Sequence, residues 1–118
     1  LYEEKDEWFD FYGKEETKYM SYAVKIKDSK TRIIPGVNHI DNTCRVQTLK
    51  QIENPHFYNL IQEFKKVSNV PILLNTSLNI ANKPLVETPT EAVDFLFSTE
   101  IDYLYFPDAS LLVHRNVV

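Results

Sequence analysis

Hydrophobic positions along this chain recur with two periods, and the switches between them mark its elements. Residues 55–67, PHFYNLIQEFKKV, put Phe57, Leu60, Ile61 and Phe64 on one helical face, and Lys65 and Lys66 suit the negative end of the helix dipole. Asn54-Pro55 starts this helix and Ser68-Asn69 ends it. Residues 89–98 predict a second helix, with Ala92, Val93, Leu96 and Phe97 inward. Thr88 caps it, Pro89 is its first residue, and Glu91 stands three past the cap, as in a capping box. The acidic and aromatic start, YEEKDEWFDF, predicts a short amphipathic helix over residues 2–11 that packs its aromatic side on a sheet and stops before Gly13.

Alternation with period two predicts the strands. Over residues 19–27, Met20, Tyr22, Val24 and Ile26 share one face. The apolar run VPILL, residues 70–74, reads as a short buried strand. Residues 101–106 are β-branched and aromatic, Pro107-Asp108 turns, and residues 109–113 form a last strand paired with them as a hairpin. Helices alternate with strands only in the second half. The expected fold class is therefore α/β of the α+β kind, a mixed, twisted open sheet with helices packed on it, and residues 1–118 form a single domain.

Two stretches carry candidate chemistry. If residues 37–49, VNHIDNTCRVQTL, are largely extended, then His39, Asp41, Thr43, Arg45 and Gln47 project to one face. Ile40, Cys44 and Val46 project to the other, which only Asn42 and Thr48 interrupt. The second stretch follows VPILL, where the chain turns abruptly polar at Asn75, Thr76, Ser77 and Asn79. Asn82-Lys83-Pro84 then turns into the capped helix. Strand, polar loop and helix start place hydrogen-bond donors around an anionic ligand. Arg45 offers a planar, permanently charged fork for phosphate or carboxylate, and Lys83 adds a point charge. Thr76 and Ser77 can donate to a phosphate oxygen or a carbonyl; Asn75 and Asn79 donate and accept, which suits a carbamoyl or amide group. His39 and Asp41 either act as acid and base or hold each other in place. A solvated strand face is the competing reading, and pattern alone divides the two evenly. No metal is assigned: two ligands do not make a site, and His56 and His114 are not placed to complete one.

Composition narrows the classes. A chain of 118 residues with 43% hydrophobic and 25% charged content has the makeup of one globular domain. A net charge of −4 argues against a uniformly basic duplex-binding surface, so nucleic acid is not an expected partner. Two glycines, Gly13 and Gly36, cannot build a Walker loop or a GxGxxG turn. Cys44 is the single cysteine and reads as a small apolar side chain in a reducing compartment; with no apolar run of about 18 residues, no membrane span and a cytoplasmic location are expected. Ser77 lacks the GxSxG elbow of a serine hydrolase. The start at Leu1-Tyr2-Glu3, without an initiator methionine, leads us to expect a fragment of a larger protein.

The run HIDNTCRVQTL, then Asn54-Pro55 and a helix, then VPILLNTSLNIANKPLVETPTEAVDFLFSTEIDYLYF resembles the C-terminal domain of the O-carbamoyltransferase family, which includes nodulation-factor and antibiotic carbamoyltransferases. The family patterns are H-x-D-G-T-A-R-x-Q and N-T-S-F-N-x-x-G-E-P-I-V-x-T-P, in this order and with a helix between them. The NTSLN loop is also similar to the T-S-A-N-x-S-G loop of YrdC-like proteins, so the resemblance implies a YrdC-like fold. It further implies formation of carbamoyl adenylate from carbamoyl phosphate and ATP, with magnesium accompanying the nucleotide. A metal-containing, Kae1-like N-terminal domain of the same full-length chain would pass the carbamoyl group to an acceptor hydroxyl. Arg45 would then contact phosphates, Ser77 would hydrogen-bond the same region, and Asn75, Thr76 and Asn79 would line the pocket. The family glycines are Asn42 and Asn82 here; Asn tolerates positive φ best among non-glycine residues, so both turns can survive. The family alanine is Cys44, the phenylalanine Leu78, and the glutamate Lys83, a reversed charge. The family's arginine- and glycine-rich segment is not in this chain, so no adenylation is expected of the chain alone. A cut sheet edge would invite a homodimer. The alternative from another class is a non-catalytic YrdC-like module that binds a ligand, RNA or a protein.

Overall fold

A computed structural model of the chain describes residues 1–115. These residues fall into two compact units, Leu1–Leu74 and the described part of Asn75–Val118. The class is α+β, as expected, but the strands are shared between two small antiparallel sheets instead of one mixed sheet.

In the first unit a 3-10 turn, Tyr2–Glu4, leads into α1, Lys5–Trp8. Helix α1 is shorter than the sequence suggests. Phe9 adopts an extended backbone (φ −135°, ψ 153°) and opens β1, Phe9–Asp10. Gly13, at φ +82°, serves the turn beyond the strand. Strands β2, Ala23–Ile26, and β3, Thr43–Arg45, complete an antiparallel sheet in the order β1-β2-β3. Phe9 lies opposite Ile26, and Val24 opposite Cys44. This register gathers Trp8, Phe9, Phe11, Val24, Ile26, Ile34 and Cys44 into one core, so the aromatic start does pack on the sheet. Ile26 is wholly buried, and burial of such a side chain stabilises by roughly 1.5–3 kcal/mol.

Strand β2 begins four residues later than the alternation predicts. Met20 sits at φ +54°, a left-handed conformation that no strand accommodates, and Tyr22 stays exposed. Residues 70–74 form no strand at all. Val70 and Ile72 instead pack against the core as an unpaired segment, and Pro71, fully buried, has no N–H to give a ladder. An apolar run alone records burial and not hydrogen-bond pairing, which is why the sequence misleads here.

Helix α2, Pro55–Ser68, starts as predicted: the Asn54 side chain accepts from the Phe57 N–H at 3.0 Å. It ends at Asn69, φ +59°, whose N–H donates to the Lys65 carbonyl at 2.8 Å. Its buried face is narrower than the spacing suggests, with Ile61 buried but Leu60 55% and Phe64 37% exposed. A Lys65–Glu4 ion pair of 2.8 Å and a hydrogen bond from the Tyr58 hydroxyl to the Glu3 carboxylate hold α2 to the N-terminal turn.

In the second unit α3, Pro89–Ser98, opens with the predicted capping box. The Thr88 hydroxyl accepts from the Glu91 N–H at 3.2 Å, and the Glu91 carboxylate accepts from the Thr88 N–H at 3.0 Å. Ala92 and Leu96 are buried, but Phe97, expected inward, is 62% exposed. Strands β4, Tyr103–Phe106, and β5, Leu111–His114, form the expected hairpin, with Tyr103 opposite His114. Among the described residues no helix is long and apolar enough to cross a membrane.

Candidate functional site

The first motif folds as a tight turn feeding a short strand. The Asn42 N–H donates to the His39 carbonyl at 3.0 Å, and the His39 N–H donates to the Thr43 carbonyl at 2.9 Å. Asn42 takes φ +59°, so the chain reverses just before β3. The single polar face expected from His39 to Gln47 therefore starts only at Thr43, because a left-handed residue breaks the alternation. From Thr43 onward the pattern holds: Cys44 and Thr48 are buried, and Arg45 and Gln47 are exposed.

Within the turn, Asp41 is the organising acceptor. Its carboxylate accepts from the Thr43 N–H at 3.1 Å and from the Thr43 hydroxyl at 2.7 Å. These bonds hold the Asp41 carboxyl below the usual carboxylate range, the hydroxyl contributing most. Nδ1 of His39 lies 3.2 Å from the same hydroxyl. Thr43 thus stands between His39 and Asp41, the two residues expected to act as acid and base or to hold each other. Arg45 is anchored through Nε, which donates to the Met20 carbonyl at 2.9 Å. None of the ion pairs among the described residues involves it. On the apolar side, burial pushes the Cys44 thiol up to about 11, so it stays protonated and inert at neutral pH.

Beside this strand lies an open groove of about 270 Å³, lined by Lys18, Tyr19, Gln47, Thr48, Glu53 and Phe57 among others. Gln47 belongs to the first motif. Lys18 and Glu53 were not singled out by the sequence, since each sits in a charged connector with no periodicity. Lys18 pairs with Glu53 at 3.2 Å and with Glu16 at 3.3 Å, and these carboxylates raise its pKa.

The second motif lies in the other unit. Asn79 uses its amide N–H groups on the loop itself, donating to the Lys83 carbonyl at 3.0 Å and to the Ile80 carbonyl at 3.1 Å. The Lys83 N–H donates to the Ile80 carbonyl at 2.9 Å, and Asn82 occupies φ +64°. Asn79 is thus the brace of this turn. Asn75, Thr76, Ser77 and Lys83 are exposed along it. Arg45, His39 and Asp41 belong to the first unit and the five loop residues to the second. Among the described residues no three His, Cys, Asp or Glu side chains converge as a metal site.

The first unit thus holds an arginine anchored to backbone through Nε, and the second a polar loop braced by Asn79. The comparison with known proteins gives the family: the model for the Carbamoyltransferase C-terminus matches residues 1–113, and the chain belongs to that family. It is similar to Nodulation protein NolO of Bradyrhizobium diazoefficiens, at 32% identity over 88% of this chain and 19% of the relative. An uncharacterized protein of Methanocaldococcus jannaschii, MJ1058, is 31% identical over 99% of this chain and 19% of its own length. The 3'-hydroxymethylcephem-O-carbamoyltransferase of Amycolatopsis lactamdurans is 29% identical over 79% of this chain and 18% of its own. The chain spans about a fifth of the length of these relatives.

Proposed function

We propose that this chain supplies phosphate- and carbamoyl-binding residues to an ATP-dependent O-carbamoyltransferase. In this reading water cleaves carbamoyl phosphate to carbamate and phosphate, the carbamate oxygen displaces pyrophosphate from the α-phosphorus of ATP to give carbamoyl adenylate, and the carbamoyl group then passes to an acceptor hydroxyl with release of AMP. A Kae1-like domain, in a longer polypeptide of the length seen in the relatives, would carry out the transfer at its own metal. Magnesium would accompany ATP as its counter-ion.

The observation that carries the reading is the state of Arg45. A guanidinium fixed through Nε and paired with no carboxylate among the described residues would offer its outer nitrogens to two oxygens of a phosphate. Ser77 and Thr76 would add hydroxyl donors, Asn75 an amide, and Lys83 a charge. Asn79 would act by bracing the loop that presents them. The exposed imidazole of His39 would meet the ligand, while Asp41 would act through Thr43.

Calorimetric titration with ATP, AMP and carbamoyl phosphate tests this, using the parent chain, Arg45→Ala and Ser77→Ala. Each charge-assisted contact removed costs on the order of 2–3 kcal/mol, which is tens-fold or more in affinity. Binding that is lost in both variants supports the reading. Binding indifferent to both would refute it and favour a non-catalytic YrdC-like module. So would the absence of binding both to this chain and to a longer protein that contains it.

A further inference from the structure

The hydrogen bonds around Thr43 fix a proton. A threonine hydroxyl has one hydrogen to give. Two neighbours compete for it: a carboxylate oxygen of Asp41 at 2.7 Å and Nδ1 of His39 at 3.2 Å. The carboxylate is closer, charged and able only to accept, so it takes the hydrogen. The Thr43 oxygen is then left with lone pairs facing Nδ1, and the contact is a hydrogen bond only if Nδ1 carries the proton. The backbone supports this geometry from both sides. The Thr43 N–H also donates to Asp41, and the His39 N–H donates to the Thr43 carbonyl, so the three side chains are held on one short closed turn.

We infer that Thr43 is a positioning residue, which donates its hydroxyl hydrogen bond to Asp41, holds His39 as the Nδ1–H tautomer and leaves Nε2 as a bare acceptor toward the ligand. His39 is exposed, so Nε2 is accessible. A bare imidazole nitrogen takes a hydrogen bond from an N–H or O–H donor and can act as a base toward it. The ligand half of this inference rests on the proposed function, in which the donor is the amide of a carbamoyl group or a ribose hydroxyl. The tautomer itself does not depend on that reading.

Nitrogen-15 NMR of the histidine rings tests it, recorded at a pH above which the ring shifts no longer change, so that the rings are neutral. His39→Gln identifies the His39 signals among the three histidines. The parent chain and Thr43→Ser should show Nδ1 as N–H and Nε2 as the bare nitrogen. Thr43→Val removes the acceptor, and the ring should move to Nε2–H, the tautomer that a free imidazole favours in water. Asp41→Ala should do the same by a different route, because the freed hydroxyl then donates to Nδ1. Unchanged amide signals of Val24 and Cys44, paired across β2 and β3, report an intact sheet in each variant. An Nε2–H ring in the parent chain, or an Nδ1–H ring that persists in both Thr43→Val and Asp41→Ala, would overturn the inference. Carbamoyl phosphate and AMP are then added separately. A shift of the Nε2 signal with the first marks the carbamoyl amide as donor, and with the second a ribose hydroxyl. The stated tautomer with no response to either ligand would overturn the ligand half alone.

Discussion

Replacing Thr48 by valine isolates the value of one buried hydrogen bond at the wall of the groove. Thr48 is 4% exposed and Thr17 3% exposed. They clamp the chain just beyond β3. The Thr48 N–H donates to the Thr17 carbonyl at 2.8 Å, the Thr17 N–H donates to Oγ1 of Thr48 at 3.1 Å, and the Thr17 hydroxyl donates to the Val46 carbonyl at 2.6 Å. Thr48→Val keeps the branched shape and removes only the acceptor for the Thr17 N–H. A buried donor left unpaired costs about 1–3 kcal/mol, and the methyl that replaces the hydroxyl returns up to about 0.8 kcal/mol. The net loss is about 0.2–3 kcal/mol. With an m-value of about 2 kcal/mol/M, the urea midpoint should fall by roughly 0.1–1.5 M at unchanged m. Hydrogen exchange at the Thr17 amide should quicken by more than at Ile26, whose N–H bonds to the Asn42 carbonyl and not to either threonine. A midpoint equal to or above the parent's would show that the Thr17 N–H finds another partner, and the clamp would lose its claim to fix Gln47 and the groove.

Two further outcomes follow from backbone and charge. At Asn42 and Asn82, φ +59° and φ +64°, substitution by glycine should be tolerated, whereas valine should destabilise each turn by about 1–2 kcal/mol in chemical denaturation; equal tolerance of valine would show that these turns relax freely. Glu91 accepts from the Glu87 and Thr88 N–H groups, and these bonds hold its carboxyl below the usual range. Its contribution is present above the ordinary glutamate value of about pH 4.3 and is lost as pH falls through its lowered folded value. The parent should therefore lose stability faster than Glu91→Gln over that acid range, and parallel pH profiles would count against the capping bonds.

What the sequence determines by itself is whatever depends on neighbours a few residues away. The caps of α2 and α3 were legible because Asn54, Thr88 and Glu91 act on N–H groups three residues along the chain. The hairpin of β4 and β5 was legible for the same reason, and so were the two turns in which asparagine stands for glycine, since each needs only one residue's tolerance of positive φ. The family resemblance belongs here too, because its motifs are contiguous. Tertiary structure decided the rest. It left residues 70–74 without a strand, since pairing needs a partner's free N–H and C=O groups as well as an apolar run. It buried Thr48, the polar residue that looked out of place on an apolar face, by supplying Thr17 from 31 residues away. It turned the expected row from His39 to Gln47 into a closed turn and a short strand, where Thr43, bonded to both His39 and Asp41, governs the pair. Spacing along a chain sets which side chains can share a face. Which of them meet, and which hydrogen each one holds, is fixed only when distant backbone groups compete for the same bonds.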